Sequence, residues 1–229
     1  MNLVRPMWDD AAQPAVADVL KLGERAVRVL EESKALSPKA DNSTPKLTVE
    51  TFDNHVYFYA DVDSDRCLAM IKTIRDLDSR LRSERVTRNV PSDVGLTPIW
   101  LHIQSGGGSL FAGLATADQL NLIQTPVYSV IEGICASAAT LLSLSCHRRY
   151  IMPNGFMLIH QFSSVHWGTY EEFVDEMKLQ NMLIELMVGF YSTRTKLTRR
   201  NVRQILKHDS WYSARQCVEH GLVDEIYAG

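Results

Sequence analysis

The sequence predicts an α/β fold with a largely parallel sheet, and three observations lead to this prediction. Short apolar segments at residues 99–103 and 126–131 are rich in β-branched and aromatic residues, as strands are. Each segment is followed by a turn of small residues. After each turn comes a run with helical spacing. Because strand–helix–strand order is typical of βαβ units, the two strands are expected to lie parallel in one sheet.

Composition narrows the classes of protein. The 229 residues suit one domain with an appendage, and a hydrophobic content of 45% is enough for a large core. A net charge of −3 indicates no surface for nucleic acid or anionic membranes. The sequence has no apolar run of the roughly 18 residues that span a bilayer, and its four cysteines include no CxxC pair. We therefore expect a soluble, cytoplasmic protein without a metal site or cofactor.

Two domains are predicted. Residues 14–36 carry apolar side chains on one helical face, and residues 37–46 form a polar linker with two prolines. Residues 1–46 are therefore interpreted as an N-terminal helical appendage and linker. Residues 47–229 are interpreted as the main domain.

The main domain opens with alternating residues at 47–62, which predict two strands joined by a turn at Asp53 and Asn54. A helix is predicted over residues 65–81 and a surface loop over residues 83–98, which contain two prolines. The strand at residues 99–103 is followed by a helix predicted over residues 110–122.

A glycine loop, Gly106 to Gly108, lies between that strand and that helix. It lacks the lysine of a Walker loop and the spacing of a dinucleotide-binding loop, so nucleotide binding is weakly supported. It could instead offer a backbone N–H to an oxyanion, hold an extended peptide, or be a plain tight turn. Ser137 also follows a strand. Since ligand sites lie at the carboxyl ends of parallel strands, the loop and Ser137 are expected to be neighbours.

Ser137 and His160 are the candidate chemical groups. Ser137 follows a small-residue turn at residues 133–136, and His160 follows a strand-like segment at residues 156–159. A serine becomes an effective nucleophile when a base such as histidine removes its proton. A helix that starts at Ser137 would also aim free N–H groups at a substrate carbonyl. The alternative is a buried helix with a chance serine and a histidine in a structural role.

A long helix is predicted over residues 170–191. Its methionines Met177, Met182 and Met187 favour core or subunit packing over a binding face. A short helix is predicted over residues 198–206. The chain then ends with a helix that stops at Gly221 and a final strand.

These segments resemble, in order, the motifs of the proteolytic subunits of the Clp protease, the ClpP family. The matching segments are the glycine loop at 103–108 with Gly113, the nucleophile turn at 133–138, the segments at 153–154 and 157–161, the Asp209-x-x-x-Ser213-Ala214 motif, and the ending at 219–224. The resemblance covers roughly residues 56–227. It is specific because the motifs occur together and in the family's order.

The resemblance implies a ClpP/crotonase-like superhelical core and a serine endopeptidase that cuts peptides or unfolded protein segments. It implies a catalytic triad of Ser137, His160 and Asp209, and oxyanion donors at the backbone N–H groups of Gly108 and Ala138. The third member of such a triad holds the histidine in the correct tautomer. The family needs no cofactor for this chemistry.

Other carboxylates compete with Asp209 for the role of triad acid, but none falls where the family's acid falls: Asp175, Asp224 and Glu185. Without the resemblance, Asp209 would be interpreted as a helix cap or a surface carboxylate. The resemblance also implies that the helix at residues 170–191 is a protruding handle. It further implies a homo-oligomer built as a heptameric ring or double ring.

The sequence also departs from the family's pattern. Gly106 and Phe162 replace two usual prolines, and the loop at residues 83–98 is longer than usual. Residues 1–55 do not resemble the axial loop through which the family meets its unfoldase, so docking to a Clp ATPase is placed in question. This divergence is typical of a specialised relative, such as a viral one. Two alternatives stay open: a non-catalytic ring subunit, and an acyl-CoA enzyme of the related crotonase fold.

Overall fold

A computed structural model describes residues 49–89, 91, 95–161 and 168–228. The predicted appendage at residues 1–46 lies outside the described residues, so its helix and its boundary remain predictions. Within the described ranges, no helix is long and apolar enough to cross a membrane.

Eight strands form one mixed sheet. They are β1 (Val49–Phe52), β2 (His55–Phe58), β3 (Ile99–Ser105), β4 (Val127–Ala136), β5 (Arg148–Ile151), β6 (Phe156–Ile159), β7 (Ser210–Ser213) and β8 (Glu225–Ile226). The strand order is β1-β2-β3-β4-β5-β8, and β6 pairs with both β4 and β7. Only the β1–β2 and β6–β7 pairs are antiparallel. The prediction of an α/β fold with a largely parallel sheet is therefore confirmed.

Six helices accompany the sheet in the described part of the chain. They are α1 (Ser64–Thr87), α2 (Leu110–Asn121), α3 (Ala139–Leu144), α4 (Tyr170–Arg194), α5 (Arg199–Ile205) and α6 (Ala214–His220). Side-chain caps explain several of their starts. Asp63 accepts a hydrogen bond from the N–H of Arg66 at α1, and Thr169 forms a capping box with Glu172 at α4.

Three predicted boundaries need correction. Helix α1 continues to Thr87, into residues predicted to be a loop, because an exposed helix end needs no apolar periodicity to persist. Strand β4 continues to Ala136, so residues 133–136 are strand rather than turn. The following helix begins at Ala139 and not at Ser137. The short strands β5 and β7 were not predicted.

Strand β4 is the central element of the sheet because it changes partners along its length. Its first half pairs with β5, and its last three residues pair with β6. Against β3, the register shifts between Ile103 and Ser105, where β4 holds extra residues. Gly133 lies within that bulge with a φ of 71°, which favours glycine. The bulge allows the end of β4 to leave the β5 side and reach β6.

The two faces of the sheet differ. Ile99, Leu101 and Ile103 of β3 are fully buried in the apolar core. The intervening side chains of β3 lie on the other face, where Trp100 contacts Tyr128, Tyr150 and Tyr227. Alternation along a strand sends successive side chains to opposite faces, so one strand serves both layers.

Helix α4 is buried over only part of its length. Its last turns contribute Met187, Val188 and Tyr191 to the core. Four of its earlier apolar side chains are largely exposed: Phe173, Met177, Met182 and Leu186. The first half of α4 therefore presents apolar side chains at the surface of the described part of the chain.

Candidate active site

Ser137 occupies a sharp turn directly after β4. Its φ is 54°, a left-handed conformation that is uncommon for a residue other than glycine and costs about 1–3 kcal/mol. Hydrogen bonds hold both sides of the turn. The N–H of Ser137 donates to the carbonyl of Leu158 at 2.9 Å, and its carbonyl accepts from the N–H of Thr140 at 3.0 Å. The neighbouring elements thus stabilise the conformation that the residue alone disfavours.

The glycine loop packs against this turn, as predicted. A Cβ atom added to Gly107 would lie 2.7 Å from the Cβ of Ser137, so no larger residue fits. Gly108 approaches the carbonyl of Val62 just as closely, at 2.4 Å from its added Cβ. Both glycines also have positive φ values. Gly106 has open space around it, so a side chain would fit at this position.

His160 directly follows β6, Asp209 directly precedes β7, and the two residues lie beside each other. The Nδ1 atom of His160 is 3.9 Å from the Oδ1 atom of Asp209, which is close enough for an ion pair but too long for a hydrogen bond. The Asp209 side chain is 68% exposed, and that of His160 is 27% exposed. Strands β6 and β7 pair antiparallel and bring the two residues together.

One cavity of about 180 Å³ unites most of the predicted site. Ser137, His160, Gly108 and Ala138 all line it, whereas Asp209 lies behind His160 and does not. The remaining wall is mostly apolar: Leu110, Leu141, Met187, Tyr191 and Leu206. The structure therefore brings together a serine, a histidine and two backbone segments at one apolar pocket.

The backbone N–H groups of Gly108 and Ala138 are available to a ligand. Within the described part of the chain, neither donates a hydrogen bond to another protein group. Ala138 precedes α3, so its N–H points out of the helix start rather than into a helical bond. Two unpaired donors beside a serine in one cavity can stabilise negative charge on a bound carbonyl oxygen.

Sequence reasoning missed two polar residues beside Ser137. Thr140 donates its hydroxyl to the carbonyl of Ser137, and the same hydroxyl contacts the Tyr191 hydroxyl, each at 2.6 Å. The available signal was weak. Thr140 is one of two hydroxyl residues, with Ser143, in the apolar run of residues 138–144, and Tyr191 is 51 residues further along the chain.

A second carboxylate–histidine pair lies on the aromatic face of the sheet. Glu132 accepts from Nδ1 of His102 at 2.7 Å, and Nε2 of His102 is 2.9 Å from Nδ1 of His55. The ring of His102 stacks on Tyr57, and Tyr59 hydrogen-bonds Glu132. Burial, with His55 nearby, lowers the pKa of His102 to about 4, and burial raises the pKa of Glu132.

Metal chemistry has no evident basis in the described ranges. No group of three or more His, Cys, Asp or Glu side chains there is arranged to hold a metal ion. The four cysteines are free and buried.

A serine and a histidine that share a cavity with free N–H donors on an α/β sheet form an arrangement that is found in serine hydrolases. The comparisons with known proteins give the family. The Clp protease family model matches residues 90–229, and the chain belongs to this family. It is thus a ClpP-like serine-type endopeptidase.

Curated relatives support this assignment over most of their own lengths. The chain is 33% identical over 150 residues to the ATP-dependent Clp protease proteolytic subunit 2 of Treponema denticola, an alignment that spans 63% of this chain and 74% of that protein. It is 32% identical over 133 residues to the proteolytic subunit 2 of Tropheryma whipplei, spanning 56% and 72%. Proteolytic subunit 1 of Chlamydia muridarum is 33% identical over 135 residues, spanning 56% and 69%.

Proposed function

We propose that the chain hydrolyses peptides and unfolded protein segments through a Ser137–His160–Asp209 triad and an acyl-enzyme intermediate. One observation carries the proposal: Ser137 and His160 line the same cavity as two backbone segments with unpaired N–H donors. A non-catalytic ring subunit would have no reason to keep this combination. An acyl-CoA enzyme would leave the histidine and the strained serine without a role.

The reaction follows from the chemistry of these groups. The Oγ atom of Ser137 attacks the scissile carbonyl, while His160 accepts the serine proton and returns it to the leaving amine. Water then attacks the acyl-enzyme, with His160 again as the base. The N–H groups of Gly108 and Ala138 stabilise the oxyanion in both steps, a contribution of about 3 kcal/mol per donor in other acyl-transfer enzymes.

Asp209 is the proposed partner of His160. The separation of 3.9 Å leaves the carboxylate within ion-pair range of the imidazole. Catalytic hydrogen bonds are often long in the absence of substrate and shorten in the reacting complex. Asp224 is a poorer candidate because it is paired with Arg149, whose Nη2 lies 2.6 Å from its Oδ1.

The apolar wall of the cavity suggests which substrate side chain enters it. Leu141, Met187 and Leu206 offer dispersion contacts and no charge, so an apolar residue next to the cleaved bond fits best. Charged residues would lose their hydration without gaining a partner.

We further propose that the chain assembles into a ring or double ring, with seven subunits per ring by the family resemblance. The exposed apolar side chains on the first half of α4 support this, because such a face is unfavourable in water. Light scattering should therefore report a mass several times that of one chain. A monomer that hydrolyses peptides at full rate would contradict the proposal.

The nucleophile is tested by covalent labelling with a fluorophosphonate probe. The protein should be labelled at Ser137 and should cleave a fluorogenic peptide without ATP, since the sequence contains no nucleotide-binding loop. Ser137→Ala removes one hydroxyl and should abolish both signals while the thermal midpoint stays close to wild type. Undiminished labelling of the variant would refute the triad.

Partner choice needs a separate assay, because the relatives are named as ATP-dependent and the sequence of residues 1–55 does not resemble the family's axial loop. A folded substrate should resist the protein alone. Adding a Clp ATPase with ATP decides whether that class of unfoldase serves this chain.

A further inference from the structure

Two buried hydroxyl groups connect helix α4 to the nucleophile turn. Thr140, in the first turn of α3, is fully buried, and Tyr191 near the end of α4 is 3% exposed. The Oγ1 atom of Thr140 lies 2.6 Å from the carbonyl oxygen of Ser137 and 2.6 Å from the hydroxyl oxygen of Tyr191. These distances are short for neutral hydrogen bonds, so both contacts are well formed.

The direction of these hydrogen bonds follows from which of the three oxygen atoms carry a proton. A carbonyl oxygen only accepts, so the single hydroxyl proton of Thr140 is donated to Ser137. The Thr140 oxygen is then an acceptor toward Tyr191, and the tyrosine hydroxyl must be the donor. Burial raises the pKa of Tyr191, which keeps that proton in place at neutral pH. The order is Tyr191 to Thr140 to Ser137.

These hydrogen bonds stabilise a backbone turn whose conformation is unfavourable by itself. Ser137 holds a left-handed conformation, and its carbonyl also accepts from the N–H of Thr140. Rotation of the Ser137 peptide toward an ordinary conformation would break both bonds and leave a buried hydroxyl pair without its acceptor. An unsatisfied buried hydroxyl costs more than an ordinary hydrogen bond contributes, so the pair resists that rotation.

We propose that Thr140 and Tyr191 are positioning residues for the nucleophile: their hydroxyl relay locks the Ser137 turn in the conformation that presents its side chain to the cavity. The proposal rests on the proposed function, since it concerns where the nucleophile is held. Neither residue exchanges a proton with substrate. Thr140 acts through the backbone of Ser137, and the hydroxyl of Tyr191 acts through Thr140, although the Tyr191 side chain also lines the cavity.

The key variants separate positioning from stability. Thr140→Val replaces the hydroxyl by a methyl group and leaves the Tyr191 hydroxyl buried without an acceptor. It should lower both kcat and the rate constant of fluorophosphonate labelling by about tenfold or more, the size expected for one buried hydrogen bond. KM should change by less than about twofold, because the cavity wall keeps its shape. Thr140→Ser keeps the hydroxyl and should restore the labelling rate.

The double variant Thr140→Val with Tyr191→Phe gives the decisive reading. It leaves neither hydroxyl unpaired, so its thermal midpoint should recover toward wild type compared with Thr140→Val alone. Its labelling rate should stay low, because Ser137 still lacks the hydroxyl that holds its carbonyl. Activity that recovers together with the thermal midpoint would show a purely structural role and would overturn the proposal.

A matched control is available in helix α2. The hydroxyl of Thr116 is also buried and donates to the carbonyl of Ala112 at 2.7 Å, far from Ser137 in the chain. Thr116→Val should lower the thermal midpoint without changing the labelling rate. Equal labelling of wild type and Thr140→Val would overturn this inference alone. A wild-type protein that is not labelled at Ser137 would overturn the proposed function, and this inference with it.

Discussion

Glu132 and His102 form a shorter and more buried carboxylate–histidine contact than Asp209 and His160 do. The first pair is 2.7 Å apart, and the histidine is 8% exposed. The second pair is 3.9 Å apart, and its carboxylate is mostly exposed. By distance alone, the first pair would be the better candidate for the basic half of a catalytic triad.

The comparison shows that a candidate catalytic histidine is recognised by the groups it faces away from its carboxylate partner. His160 lines a cavity with Ser137 and two backbone donors. The Nε2 atom of His102 faces His55 instead, and the ring is covered by Tyr57. In the Glu132–His102 pair both ring nitrogens already have partners, as in a structural contact. The longer Asp209–His160 contact lies beside Ser137 and leaves room for a substrate.

The largest expected effect comes from neutralising each carboxylate in turn. Asp209→Asn should lower kcat by about 10⁴, as the same change does in other triads, because the histidine loses its orienting charge. Glu132→Gln should leave kcat near wild type and lower the free energy of unfolding by about 2 kcal/mol. Peptide hydrolysis and urea unfolding measure the two quantities. If Glu132→Gln lowered kcat and Asp209→Asn lowered only stability, catalysis would have been assigned to the wrong pair.

Substitution in the glycine loop has a smaller expected effect, and the neighbouring residue Gly106 provides a control for Gly107. Gly107→Ala forces a Cβ into Ser137 at a φ of 98°, so it should destabilise the fold by about 3 kcal/mol and disrupt labelling. Gly106→Ala meets open space and should change neither by much. Thermal melts and labelling rates compare the two variants. A tolerated Gly107→Ala would disprove the close packing of loop and nucleophile.

The smallest expected effect is the pH dependence of stability from the buried pair. The folded pKa of His102 is about 4, below its unfolded value near 6.5, so the unfolded state takes up the proton first. Stability from this group is complete above pH 6.5 and should fall by about 2 kcal/mol between pH 7 and pH 5. Glu132, with its raised pKa, opposes this loss toward the acidic end of the window.

His102→Gln isolates that dependence. Urea unfolding of wild type and variant at several pH values should give a flatter curve for the variant, whatever its absolute stability. His55, Tyr57, Tyr59 and Glu132 are the titratable groups around His102, and all of them remain in the variant. Parallel curves would contradict the burial-driven pKa.

Local patterns in the sequence predicted much of the fold. Alternating residues and the turn at Asp53 indicated the β1–β2 hairpin, and helical spacing indicated α1. Strand β5 was missed because only Ile151 among its four residues is fully buried, which leaves almost no apolar alternation to detect. The end of β4 was misjudged because small residues there suggested a turn, while pairing with β6 keeps them extended.

The candidate site was predictable where family motifs mark its residues, and not where a contact has no motif. Ser137, His160, Gly108 and Ala138 do share a cavity, although their catalytic roles remain proposals. Nothing local pairs Thr140 with Tyr191 or Glu132 with His102, because these contacts depend on how strands and helices pack. Tertiary contacts of this kind leave no period in the sequence.

The turn at Ser137 draws on parts of the chain that are synthesised at different times. Gly107 precedes it, whereas Leu158 and Tyr191 follow it by about 20 and 50 residues. A chain emerging from the ribosome, which grows from its N-terminus, can complete the turn only after Tyr191 has emerged. If Ser137 is the nucleophile and its turn depends on Tyr191, as we propose, a nascent chain that displays Ser137 and His160 without Tyr191 should be inactive. The order of translation would then delay activity until most of the domain exists to enclose the site.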